Sequence, residues 1–187
     1  MNTQRAQRIL ELLGDYVGTA TATSTPLETN NQVFFEKYFA ASSYFTEHHE
    51  LCGFDPVPGD ALGRCVPWAL YKGGGPDTIV MIHHSDTVDT EDYGGNRDAA
   101  LRPRELTERY RAGAADLDGE ARRDLEGGWL FGRGVADMKG GACIHLALLE
   151  QFSGEGGLQG SLLLLALPDE ENLSAGMRSA VSLLTRL

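Results

Sequence analysis

Two aliphatic runs limit what this chain can fold into: Ile79-Val80-Met81-Ile82, and Leu162 to Leu167 with Ala166 inside it. Unbroken apolar stretches without polar alternation suit strands buried on both faces of a sheet that helices cover. The second run has six residues, about a third of the ~20 that a membrane-spanning helix requires. Around these runs the spacing is helical. Met1 to Val17 predicts an amphipathic helix through Ile9, Leu10, Leu12 and Leu13, and Leu27 to Phe45 a second one through Val33, Phe34, Tyr38, Phe39 and Ala41. Met138 to Phe152 is apolar nearly all round and predicts a buried helix; Ser174 to Leu187 starts another. Gly53 to Gly63, with Pro56 and Pro58, reads as a loop before the alternating stretch Cys65 to Tyr71, and Trp129 to Phe131 as a brief strand. The order predicts the α/β class: a three-layer sandwich with a mixed, mainly parallel sheet covered by helices.

Acidic residues outnumber basic ones 27 to 16, a net charge of −11. Such a chain repels phosphate backbones and anionic membranes, which argues against nucleic-acid and membrane partners. Ten acids and seven arginines fall between Glu91 and Glu126, which reads as a charged surface insertion with Pro103 starting a short helix. Cys52, Cys65 and Cys143 show no paired spacing, so neither a disulfide framework nor a thiolate zinc cage is written here. With no secretory h-region in the first helix, a reducing, cytoplasmic setting is expected.

Three places could carry chemistry. His84-Ser85-Asp86 follows the first buried run, at the carboxyl end of a strand, where open α/β sheets bind ligands. Neutral imidazole is a good zinc donor, and Asp86 could accept the other ring proton, although His-x-Asp is common by chance. Asp137 sits in the glycine-rich stretch Gly132 to Gly141 before the apolar helix, either as a metal-directed carboxylate or as that helix's N-cap. The stretch lacks the third glycine of a dinucleotide loop and the Gly-Lys pair of a phosphate loop. Asp169-Glu170-Glu171 crowds three carboxylates where the second run ends; a polyvalent cation would offset their repulsion, or the loop is simply open to water. All three places lie at strand exits or a helix entrance, where one end of a sheet would gather them. One imidazole with several carboxylates suits zinc, cobalt or manganese, and two adjacent glutamates allow one to bind metal while the other moves a proton. His48 and His49 read as exposed helix-end residues, His145 as a packed, hydrogen-bonded histidine, and Cys143 as a small core residue.

The segments Ile79 to Val88, Gly132-Arg133-Gly134 with Asp137-Met138-Lys139-Gly140, and Asp169-Glu170-Glu171 together resemble the co-catalytic zinc peptidases of metallopeptidase family twenty, which includes aminoacylase, carboxypeptidase G and succinyl-diaminopimelate desuccinylase. Ser85 to Val88, Glu91 to Gly94 and Arg122 to Leu125 look most like its arginine-utilization branch. The resemblance implies two zinc ions, or cobalt or manganese, with His84 as ligand to one metal, Asp137 as the bridge and Glu171 as ligand to the other. It implies Glu170 as general base, Asp86 as the partner of His84, and a cis peptide bond after Asp137. The implied activity is hydrolysis of peptide or N-acyl amino-acid amide bonds, in amino-acid and specifically arginine catabolism. The sequence departs from the family in stopping at Leu187, before a further acidic ligand, a late histidine and a lid and dimerization domain. The expectation is therefore an N-terminal part of a catalytic domain spanning 1–187. Its two-metal site would be incomplete and it would pair with itself or with a C-terminal portion; the competing expectation is a non-catalytic fragment or pseudoenzyme that binds metal weakly or not at all.

Overall fold

The computed structural model describes residues 3–187. Its centre is strand β4, Ser161–Leu167, in which every residue is buried. Successive strand side chains point to opposite faces, so Leu162, Leu164 and Ala166 enter one core and Leu163, Leu165 and Leu167 another. The first core is closed by helices α1 (Thr3–Gly18), α2 (Asn30–Ala41) and α6 (Gly140–Glu155), through Leu12, Tyr16, Phe35, Phe39, Leu146 and Leu149. The second is closed by α7 (Ala175–Leu184), through Ala180 and Leu183. Helices, sheet and helix form the three layers expected. The first two positions of the helix expected over 1–17 lie outside the described residues.

The sheet runs β1-β2-β4-β3, with β1 at Cys52–Pro56, β2 at Cys65–Tyr71 and β3 at Thr78–His84. It is mixed. The parallel share is smaller than expected, because only β3 and β4 pair in parallel, while β2 is antiparallel to both β1 and β4. The short connection between β1 and β2 allows antiparallel pairing only; a parallel pair needs a longer crossover.

Several sequence expectations change. Gly53 to Pro56, read as loop, belongs to β1, where pairing to β2 outweighs the local glycine and proline signals. Trp129 to Phe131 forms no strand, and Trp129 is 65% exposed. The helix expected over Leu27 to Phe45 divides into a 3-10 turn at Pro26–Thr29, α2, and a short α3 at Ser43–Glu47. The break falls at Ser42, whose extended backbone and side chain cap α3. β3 is buried on one face only: Met81 and His83 face the first core, whereas Val80 and Ile82, on the face of Leu163 and Leu165, are 40% and 37% exposed. Among the described residues it pairs with β4 alone, and α7 packs on β1, β2 and β4 instead. The stretch 91–126 holds a 3-10 segment at Glu91–Ala99, then α4 (Pro103–Arg111), started by Pro103, and α5 (Gly119–Glu126). Among the described residues, no helix is long and apolar enough to cross a membrane.

Candidate metal centre

Register places the centre. His84 stands opposite Leu167 in the parallel pair, so the strands end level and the segments after them leave side by side, tied by Ser85 N–H donating to the Leu167 carbonyl at 2.9 Å. The small hydroxyl-rich stretch after α1 holds the first segment. Thr21 Oγ1 donates to the Ser85 carbonyl at 2.7 Å, Thr87 N–H to the Thr21 carbonyl at 3.1 Å, and Thr23 N–H to the Thr87 carbonyl at 2.8 Å.

Asp137 arrives from the opposite side. Gly134 takes a left-handed φ of 76°, and a Cβ there would come within 2.7 Å of Thr87 Cγ2. Gly140 lies so near the Val135 carbonyl that a Cβ would sit 2.3 Å from its oxygen. These glycines serve close approach of the backbone. The Asp137–Met138 peptide bond is cis, as the resemblance implied. Lys139, 1% exposed, donates from Nζ to the carbonyls of Tyr16 at 2.9 Å and Thr19 at 2.8 Å, fastening the loop to the C-terminal end of α1. Asp137 does not cap α6, whose first turn has no side-chain cap; its carboxylate faces His84.

His84, Asp137 and Glu171 each offer a ligand atom, and all three atoms lie within 4.8 Å of one another. His84 Nε2 is 2.9 Å from Asp137 Oδ1, and its Nδ1 is 2.9 Å from the backbone carbonyl of Asp86. That carbonyl, not the Asp86 carboxylate, meets the ring; the nearest carboxylate oxygen is 3.8 Å away. With Nδ1 donating to the carbonyl, Nε2 is left to offer its lone pair outward. The Asp86 carboxylate instead accepts the N–H groups of Glu170 and Glu171. Glu170 is exposed and borders a cavity of about 210 Å³ beside His84, Met138 and Leu167.

Burial would lower the His84 pKa, but the Asp137 carboxylate and Asp86 more than offset it and the ring sits above its ordinary value. Burial raises Glu171, and the Asp137, Asp86 and Glu170 carboxylates add to it against the opposing pull of His84. A nitrogen and two carboxylates at this spacing, with negative charge in excess, are a donor set that fits a divalent cation such as zinc, cobalt or manganese.

Asp169 does not share in this crowding. It is 2% exposed and bonded to Arg64, so one of the three consecutive carboxylates is neutralised inside the protein. Sequence reasoning missed Arg64, Glu28, Thr21 and Lys139. Only Lys139, inside the quoted motif, carried any signal; the others lie far from it in the chain. His145 was expected to be hydrogen-bonded, yet its Nδ1 is buried without a partner and its ring packs 5.8 Å from that of His83. Its ring contact is with His83, whose own two ring nitrogens are also buried without a hydrogen-bond partner.

The family model for peptidase family M20/M25/M40 matches residues 84–186, a stretch that contains His84, Asp137 and Glu171. The chain belongs to this family. YqjN, an uncharacterized protein of Bacillus subtilis (strain 168), is 35% identical over the whole of this chain and 34% of its own length. Protein RocB of the same organism is 32% identical over 97% of this chain and 32% of its own length. The chain thus spans about a third of these relatives. Among solved structures, the di-peptidase Dug1p of Saccharomyces cerevisiae superposes with a TM-score of 0.64 over 95% of this chain and 35% of its own, at 14% identity, a likeness of fold.

Proposed function

We propose that this M20-family chain carries part of the catalytic centre of a metal-dependent hydrolase acting on peptide or N-acyl amino-acid amide bonds. The convergence of His84, Asp137 and Glu171 from three separate segments is the observation that carries the reading. These residues would hold divalent cations, Asp137 between two of them, with His84 on one side and Glu171 on the other. Such cations, when bound, polarise a carbonyl and bring the pKa of water to about 7. Glu170, next to Glu171 and open to the cavity, would accept a proton from the attacking water and return it to the leaving amine nitrogen. Asp86 would act as a positioning residue: its carbonyl orients the His84 ring and its carboxylate holds the glutamate backbone. A role in arginine catabolism is supported by the likeness to protein RocB, and a cytoplasmic setting by three cysteines all free. The chain would be the N-terminal part of a catalytic domain, a reading supported by its covering a third of these relatives, and 91–126 a charged surface insertion, a reading supported by its exposed ion pairs such as Arg102–Asp98 and Arg109–Asp98.

A second reading, a chain that binds one cation loosely and does not catalyse, is favoured by the donor count. The group contains three side chains among the described residues, whereas two zinc ions need more ligands than that. Zinc titration by calorimetry, together with hydrolysis of N-acyl amino acids and dipeptides, separates the two. For the hydrolase, Glu170→Gln keeps the zinc stoichiometry and lowers turnover about a hundredfold or more. Zinc uptake that His84→Ala leaves unchanged, or activity that survives Glu170→Gln, overturns it.

A further inference from the structure

We propose that Arg64 is a positioning residue for the paired glutamates, acting through Asp169: its guanidinium joins three carboxylates into one buried fork that fixes the turn from which Glu170 and Glu171 project. The inference rests on the reading of those glutamates given above.

Arg64 stands just before β2 and is 9% exposed. Its Nη1 donates to Glu28 Oε2 at 2.8 Å and to Asp169 Oδ1 at 2.6 Å; its Nε and Nη2 both donate to Asp60 Oδ1, at 3.0 and 2.6 Å. The network continues into the turn. Asp169 N–H donates to Glu28 Oε1 at 2.9 Å, and Asp169 Oδ2 accepts the N–H of Ala175, the first residue of α7, at 3.0 Å. Asp169 itself adopts a left-handed φ of 70°, uncommon outside glycine, so the chain leaves β4 through a conformation that its surroundings must hold.

The electrostatics make Arg64 indispensable to that arrangement. One cation faces three carboxylates where water is largely excluded, and its removal leaves three like charges crowded together. Arg64 holds the Asp60 carboxyl below its usual range. Burial works against the Asp169 carboxylate, but Arg64 and the Ala175 N–H bring it below its usual range too. Glu28 goes the other way, raised by burial despite its bonds to Ser24 and Arg64. Only a planar fork of five donors reaches three carboxylates on three sides; an ammonium is a point charge and would satisfy part of the set.

Hydrogen exchange followed by NMR on this chain tests the proposal without metal or substrate. In Arg64→Ala the amides of Glu170, Glu171 and Ala175 should exchange about tenfold faster or more, while those of Leu163 to Leu165 in β4 keep the parent rate. Added methylguanidinium should restore the slow rates where sodium chloride at equal concentration does not. Should that variant fail to fold, Arg64→Lys, which keeps the charge and loses the fork, should show the same confined acceleration. Unchanged exchange at Glu170 and Glu171 in the variant that folds, or an equal acceleration throughout β4, overturns the proposal. Failure of the hydrolase reading would show separately, as missing zinc uptake by the parent chain.

Discussion

The two oxygens of the Asp86 carboxylate each receive one backbone N–H of the acidic pair, from Glu170 at 3.0 Å and from Glu171 at 3.1 Å. A residue two positions after His84 thereby ties the histidine strand to the glutamate turn, and Asp86 is only 1% exposed. Asp86→Asn keeps the shape but turns one acceptor into a donor facing an N–H. The expected cost is about 1–3 kcal/mol, read as a lower melting temperature at neutral pH. An unchanged melting temperature would show that these two bonds do not hold the turn.

Behind the same turn, Gly176 packs against Pro168, and an added Cβ would stand 2.5 Å from Pro168 Cδ and 2.6 Å from its carbonyl oxygen. Gly176→Ala should cost about 1–3 kcal/mol in urea unfolding, because the first turn of α7 must move away from the end of β4. A midpoint equal to that of the parent would mean that α7 shifts freely.

His83 gives the stability a pH dependence of known sign. Its ring is 1% exposed, lies among Tyr16, Phe35 and His145, and has neither nitrogen hydrogen-bonded. Burial, with His145, His84 and Lys139 adding to it, lowers its pKa to about 3. The unfolded chain titrates this group near ~6.5, so below that pH the unfolded state binds the additional proton. Stability is therefore full above about 6.5 and falls as the pH drops toward about 3. His83→Phe should narrow the gap between melting temperatures at pH values on either side of this threshold; an unaltered gap would locate the acid sensitivity elsewhere.

The exposed side of β3 should drive self-association. Val80 and Ile82, on the face of β3 that α7 leaves open, are 40% and 37% exposed, Val181 on α7 is 60% exposed, and β3 has a free edge among the described residues. Apolar edge strands are templates for pairing, and a lysine at such a position blocks it. In sedimentation velocity the parent chain is expected to show concentration-dependent association that Val80→Lys with Val181→Lys weakens. A parent that stays monomeric as its concentration rises would refute this.

Much of the scaffold was legible because its signals are local. The run Leu162 to Leu167 announces a strand apolar on both faces, and β4 is that strand. The run Ile79 to Ile82 looks alike, yet it lies at the sheet edge and is covered on one face. The difference lies in neighbours, and composition does not encode them. The glycines around Asp137 were visible as glycines, but their purpose, close approach to Thr87 and Val135, depends on where those residues sit.

By itself the sequence determined which chemistry-bearing residues follow strand ends: His84 after one aliphatic run, Asp169 to Glu171 after the other, and Asp137 before an apolar helix. Periodicity and turn chemistry act over a few residues, so they survive in the order of letters. Tertiary structure alone decided what those residues do to one another. It set His84 level with Leu167, gave the Asp86 carbonyl to the imidazole and its carboxylate to the glutamate backbone, and withdrew Asp169 into a bond with Arg64. Those outcomes depend on hydrogen-bond geometry between segments far apart in the chain, and only the folded path of the backbone supplies it.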